Sequence, residues 1–170
     1  MEQEVVVIVN NIRSTHNVGS IIRTAEGFGV SHVYFTGYTP YPTSKNDQRL
    51  PHISSKLNTQ ISKTALGADK TLPWSYHSDL VNLVNELRSE SYEIIALEQN
   101  TGSISVEEYL PPKKVAIIIG NEVAGVDKSI IEKCDKILEI PMFGKKESFN
   151  VVQATAVILY QIKVVSRFKH

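Results

Sequence analysis

Three short stretches of this chain hold polar residues at spacings that could do chemistry. The first runs through Asn11-Ile12-Arg13, Asn17-Val18-Gly19 and Arg23-Thr24-Ala25. The second is Gly120-Asn121-Glu122-Val123-Ala124-Gly125, and the third contains Ser148 and Asn150. The two glycines of the second stretch stand at the mutual spacing of a phosphate-cradling P-loop. The Lys-Ser pair that must follow arrives as Lys128-Ser129, two residues too late to close that cradle. Gly27-Phe28-Gly29 falls at the end of a predicted helix, not between a strand and a helix, so it is no dinucleotide fingerprint. The histidines at 16, 32, 52, 77 and 170 share no ligand spacing, and the single cysteine, Cys134, reads as a small core residue. Nucleotide hydrolysis, NAD chemistry and metal catalysis therefore lose support. What survives is a set of polar residues at the ends of elements. Each has a local role open to it: Asn17 as a helix N-cap, Arg23 as a solvated helix cation, Asn150 with Gln153 as a capping box. Alternatively, Asn17 and Arg23 could face one site from a loop and a first helical turn.

These positions need a scaffold, and the remaining residues predict alternating strands and helices. Glu4 to Val9 is a β-branched run ending in Asn10-Asn11, the pattern of a buried strand. Val18 to Phe28 reads as a helix with Ile21, Ile22 and Ala25 on one stripe, and His32 to Thr36 as the next strand. Residues 37–58, rich in Gly, Pro, Asn and Asp, read as a long loop, followed by a short helix over Gln60 to Leu66 and a strand near Thr71 to Ser75. Asp79 to Ser89 is amphipathic, with Leu80, Leu83, Val84 and Leu87 on one face. Tyr92 to Leu97, Lys114 to Ile119 and Lys136 to Ile140 are predicted strands. Asp127 is expected to cap a helix reaching Cys134, and Asn150 to open a helix running to about Arg167. The alternation predicts an α/β fold, a mostly parallel sheet with helices on both faces, in one domain over 1–170. Such sheets place ligand sites beyond the carboxyl ends of their strands, where the polar stretches fall.

Composition narrows the class further. The chain has 170 residues, 42% apolar and 21% charged, which argues against intrinsic disorder. Its longest apolar runs, Val5–Val9 and Val115–Ile119, are far too short to cross a bilayer. The acidic start gives no secretory signal, so a cytoplasmic protein without membrane association is expected. The zero net charge is a cancellation: residues 10–75 and 140–170 each carry +4, against −2 over 1–9 and −6 over 76–139. Two basic blocks could form one basic face if the fold brings them together.

Taken together, the three stretches are similar to a known family. Asn11-x-Arg13-x3-Asn17-x-Gly19-x3-Arg23-Thr24-Ala25 resembles the first motif of the SpoU (TrmH) RNA 2′-O-ribose methyltransferases of the SPOUT superfamily. Ile117-Ile-Ile-Gly120-Asn-Glu122-x2-Gly125-Val126 resembles the second. Ile140-Pro141-Met142-x5-Ser148-x-Asn150-Val151, with Ala154-x-Ala156, resembles the third. Order and spacing agree over residues 5–165. Asn121 stands where alanine or proline is common, which a contact through its backbone would tolerate.

The resemblance implies S-adenosyl-L-methionine as methyl donor and a carboxyl-terminal trefoil knot that binds it. The donor's adenosine would lie against Leu97, Gly120, Asn121, Ile140 and Met142, with Ser148 and Asn150 shaping the pocket. It also implies Arg23 as a catalytic residue. A guanidinium does not deprotonate in proteins, so Arg23 is expected as a charged clamp on the phosphate and the developing 2′-oxyanion. Asn17 would orient Arg23 and the ribose, Glu122 would hold an arginine or a substrate group, and Arg13 with Arg23 would contact RNA. The substrate expected is tRNA, since no amino-terminal RNA-binding domain fits before Glu4; ribosomal RNA is the alternative. A SPOUT-like RNA-binding module without catalysis is a further alternative, opposed by the joint presence of Asn17, Arg23, Glu122, Ser148 and Asn150. A homodimer is expected as well. The last predicted helix is apolar around almost its full circumference, whereas a surface helix carries one stripe, and family dimers borrow RNA-contacting residues from the partner.

Overall fold

In the computed structural model, which describes residues 3–168, every strand pairs in parallel. The chain runs through β1 (Glu4–Asn10), α1 (Thr15–Gly27), β2 (His32–Thr36), α2 (Pro51–Ala65), α3 (Ala68–Thr71), β3 (Trp74–His77) and α4 (Leu80–Ser89). It continues through β4 (Glu93–Leu97), β5 (Ile104–Ser105), β6 (Lys114–Ile119), α5 (Lys128–Ile131), β7 (Lys136–Glu139) and α6 (Val151–Lys163), then a 3-10 turn, Val165–Phe168. The seven strands lie in the order β3-β2-β1-β6-β4-β7-β5. The two β-branched runs, β1 and β6, are central neighbours and are covered on both faces, as their unbroken apolar character requires. Val5, Val7, Val9, Val115, Ile117 and Ile119 pack with residues of α1, α2 and α6. Val6, Ile8, Ala116 and Ile118 point the other way, against α4 and α5. Helices therefore cover both faces, as the alternation predicts. Connections leave β1 toward β2 on one side and β6 lies on the other, so the strand order reverses between them, the place where open α/β sheets bind ligands.

Several boundaries differ from the sequence reading. Residues 37–58 are not one long loop: Pro51, at the first helical turn, starts a fifteen-residue helix. Its buried side chains are only Ser54, Ile61 and Ala65, so it carries no broad apolar stripe to detect. It is held instead by close backbone approach to α1, where a Cβ on Gly19 would sit 2.2 Å from the Ile61 carbonyl oxygen and from Thr64 Oγ1. The remaining loop is fastened by Arg49, which donates to the carbonyls of Tyr41 and Pro42 (both 2.9 Å) and pairs with Asp47. The hydrogen bond from Arg49 is the chief reason the Asp47 carboxyl lies far below the usual carboxylate range. Helix α1 begins at Thr15 and is capped by Ser14, whose hydroxyl accepts from the Asn17 amide; Asn17 is not the cap. Helix α5 is a single turn, and Asp127 makes no capping bond through its side chain. Helix α6 ends at Lys163, short of Arg167, where the Lys163 ammonium donates to the carbonyls of Gln3 and Gly29. No described helix is long and apolar enough to cross a membrane.

Candidate active site

A cavity of about 290 Å³ opens beyond the carboxyl ends of β4, β6 and β7, against the start of α6. Its floor is the turn Gly120–Gly125. The Asn121 amide donates to the Gly125 carbonyl (3.0 Å), the Gly125 amide returns a bond to Asn121 (2.9 Å), and Asn121 Oδ1 accepts from the Val123 and Ala124 amides. The turn thus closes on itself and not around a phosphate. Both glycines are needed for this. A Cβ on Gly120 would stand 2.5 Å from the Gly125 backbone, and Gly125, at φ +70, would push one to 2.0 Å from Glu98 Oε2. Glu98, one residue past β4, accepts from the Val126 amide (2.9 Å) and ties the turn to the neighbouring strand.

Of the residues expected to hold a cofactor, Leu97, Gly120, Asn121, Ile140 and Ser148 line this cavity, as does Glu122. Met142 and Asn150 do not. Asn150 Oδ1 accepts from the Val152 amide (2.9 Å) and caps α6, the local role its position also allowed. Sequence reasoning missed Glu98, Gln99, Glu139, Glu147, Phe149, Val151 and Ala154, which also line it. For Glu98 a signal existed: it immediately follows a strand's carboxyl end.

A second polar cluster joins this turn to the start of α1. Glu122 accepts from the amides of Arg13 (3.3 Å) and Ser14 (3.4 Å) and from Asn17 Nδ2 (3.1 Å). Burial pushes the Glu122 carboxyl up, but bonds from its own backbone, Asn17, Arg13 and Ser14 outweigh that and hold it below the usual range. Its negative charge also faces the amino-terminal end of a thirteen-residue helix. Glu122 therefore holds Asn17 and the α1 entry, in place of the arginine or substrate group expected for it. Because the folded-state pKa is lowered, ionised Glu122 contributes stability above its unfolded-state pKa, and that contribution is lost as the pH falls through the folded value. Glu122→Gln is expected to flatten the acid limb of the Tm-against-pH curve, wild type and variant converging at low pH. An acid limb identical in the two proteins would contradict this.

Asn17 and Arg23 are not brought together. Six residues apart on α1, they point about 120° away from each other. Arg23 is exposed and lines a separate shallow hollow with Ser20, Thr24, Gly27, Phe28, Thr64 of α2 and Ala156 of α6, which shares no residue with the cavity beyond β4, β6 and β7. Its guanidinium has no hydrogen-bond or ion-pair partner among the described residues. Arg13 is exposed next to the Glu122 cluster. Cys134 packs beside the α4–α5 core, where burial pushes its thiol up to about 11 and leaves it unreactive.

Comparison with known proteins agrees with the motif pattern. The SpoU rRNA Methylase family model matches residues 4–160. A tRNA (guanosine(18)-2′-O)-methyltransferase of Aquifex aeolicus is 28% identical over 94% of this chain and 69% of its own length. A 23S rRNA (guanosine-2′-O-)-methyltransferase of Neisseria meningitidis serogroup B is 30% identical over 95% of this chain, which spans 59% of that relative. Among solved structures, the A. aeolicus TrmH/SpoU tRNA modifying enzyme superimposes with a TM-score of 0.79 at 25% identity, over 99% of this chain and 77% of that one. The AdoMet-bound rRNA methyltransferase of Sinorhizobium meliloti shares the fold at a TM-score of 0.79 and 23% identity, over 95% and 56% of the two chains. With its family model matched from β1 to within α6, this chain belongs to the SpoU rRNA methylase family.

Proposed function

We propose that this protein transfers a methyl group from S-adenosyl-L-methionine to a ribose 2′-oxygen of RNA, acting as a single cytoplasmic domain in a homodimer. The observation that carries the reading is the self-closed Gly120–Gly125 turn at the floor of a cavity beyond three parallel strands, in a chain with this family membership. The cavity suits the donor: its glycines let the turn close tightly as a floor, and Leu97, Ile140, Val151 and Ala154 offer an apolar wall for a purine ring. When bound, S-adenosyl-L-methionine supplies an electrophilic sulfonium methyl. The chain's part is to position the 2′-oxygen in line and to stabilise its alkoxide character. Ser148 and the Leu97, Gly120, Asn121 and Ile140 backbones hold the donor. Asn150 supports the pocket through the start of α6, which it caps, and Met142 joins in holding the donor. Asn17 is fixed by Glu122 for a ribose contact, and Arg13 meets the RNA backbone.

Arg23 supplies the charged clamp, and it does so from the second copy of the chain. That assignment is supported by a guanidinium without a partner among the described residues, by a hollow that shares no residue with the donor cavity of the same chain, and by α6. On α6, Ile158, Leu159 and Ile162 pack into the core while Val157 and Tyr160 stay 38% and 52% exposed. The segment from β7 through α6 is read as the knotted part, on family membership. Both tRNA and ribosomal RNA relatives exist; tRNA is favoured because the tRNA enzyme is the relative whose length this chain spans more fully. Calorimetry tests the donor site. S-adenosyl-L-methionine or its demethylated product should bind without added metal, and Ser148→Ala should weaken that binding about tenfold, the cost of one hydrogen bond to a charged group. No binding of either ligand at millimolar concentration would remove the assignment.

A further inference from the structure

The loop between β2 and α2, together with β3, carries an aromatic surface that the proposed reaction does not yet use. Tyr38 is 60% exposed and Tyr76 39%, an unusual investment of ring area in solvent. Neither ring is loose. The Tyr38 hydroxyl accepts from Asn121 Nδ2 (2.9 Å), and its backbone amide donates to Asn11 Oδ1 (3.2 Å). The Tyr76 hydroxyl donates to the Gly37 carbonyl (3.0 Å), and its ring stacks on Tyr41 with centroids 4.5 Å apart and planes 22° from parallel. Tyr41 is clamped from its other neighbours by the Arg49 guanidinium, 3.6 Å from its ring centroid, and Arg49 is itself fixed by Asp47. Gly37 must be glycine for this arrangement: at φ +63 a Cβ would meet Asn11 Oδ1 at 1.9 Å.

The ledge is continuous with the donor cavity through one residue. Asn121 lines that cavity, and its Nδ2 holds both the Asn11 carbonyl (2.9 Å) and the Tyr38 hydroxyl. The exposed Arg13 stands two residues beyond Asn11. A rigid, exposed ring is a ready receptor for an unstacked nucleobase, because it offers a π-face without losing rotamer freedom on binding. From this continuity we infer that Tyr38, backed by Tyr76, is a stacking platform for a nucleobase of the RNA substrate at or next to the methylated ribose. The occupant is a base splayed out of an unpaired loop or single strand, since a paired base in a helix presents no free face. The inference rests on the RNA methyltransferase reading above.

The test uses the full chain, S-adenosyl-L-methionine and bulk tRNA, with a single-stranded oligoribonucleotide containing 2-aminopurine as a probe that needs no catalysis. Tyr38→Ala should raise KM for RNA about tenfold or more, with donor affinity unchanged and kcat much less affected. Tyr38→Phe, which keeps the ring and loses only the Asn121 bond, should stay near wild type. Wild-type protein should quench the 2-aminopurine fluorescence on binding, and Tyr38→Ala should not. An unchanged KM in Tyr38→Ala, or a Tyr38→Phe variant as impaired as Tyr38→Ala, would overturn the platform while leaving the methyltransferase reading intact. A Tyr38→Ala variant whose defect is weaker self-association would assign the ledge to a second copy of the chain and overturn it equally. Donor binding without any transfer to RNA by the wild type would instead sink the reading on which it rests.

Discussion

Arg23→Ala should cut methyl transfer to RNA by about 100- to 1,000-fold, the loss seen when one donor to a developing oxyanion is removed, while donor affinity stays nearly unchanged. The second half of that expectation follows from geometry: Arg23 lines a hollow that shares no residue with the donor cavity. Arg23→Lys should recover little, because an ammonium lacks the planar fork that can engage a phosphate and a ribose oxygen together. If Arg23 acts on the partner's cavity, mixing Arg23→Ala protein with Ser148→Ala protein at a donor concentration well below saturation should give more activity than either variant alone, since a hybrid dimer then holds one site with neither lesion. Near-normal turnover in Arg23→Ala would remove the residue from the mechanism, and a mixture no more active than its components would return it to its own chain's site.

Tyr160→Asp should be equally severe by a different route. Tyr160 and Val157 are the exposed apolar positions on a helix whose other face is already in the core, so a charge there is harmless to the fold and costly to a buried interface. Sedimentation should give about twice the chain mass for wild type at micromolar concentration, as a two-fold symmetric dimer requires, and a single chain mass for the variant. The monomer should bind donor and methylate nothing. A monomeric variant with full activity would refute both the dimer and the assignment of Arg23 to the partner.

The sheet centre was legible because its residues leave no alternative. Val-Val-Val-Ile-Val in β1 and Val-Ala-Ile-Ile-Ile in β6 are β-branched runs bounded by turn residues, and the observed spans differ from the expected ones by at most one residue. Helix α4 was legible through its apolar stripe, and the structure adds that Asp79 caps it. Helix α2 was not, since its contact with α1 depends on Gly19 having no side chain, a property that periodicity does not register. In the site, spacing identified the Gly120–Gly125 turn and the polar residues around it. It did not say what they touch. Asn17 and Arg23 looked like neighbours, but the α1 start at Thr15 puts them on different faces, and Ser14 takes the capping role. Asn121 looked like a tolerated variant at a backbone contact. Its side chain proves to be the link among the turn, the end of β1 and Tyr38. Long-range pairs such as Glu122 with Asn17 and Glu98 with Val126 depend on the strand order, which no local pattern encodes.

The central claim is transfer of a methyl group to a ribose oxygen, and one measurement addresses it most directly. The purified protein is incubated with S-adenosyl-L-methionine carrying a labelled methyl group and with RNA from cells lacking the protein. The RNA is then digested to nucleosides and analysed by mass spectrometry. The account predicts label in a 2′-O-methylated nucleoside of tRNA and its loss with Arg23→Ala. Label found only on a base, or no label in any RNA from a protein that binds the donor, would contradict it.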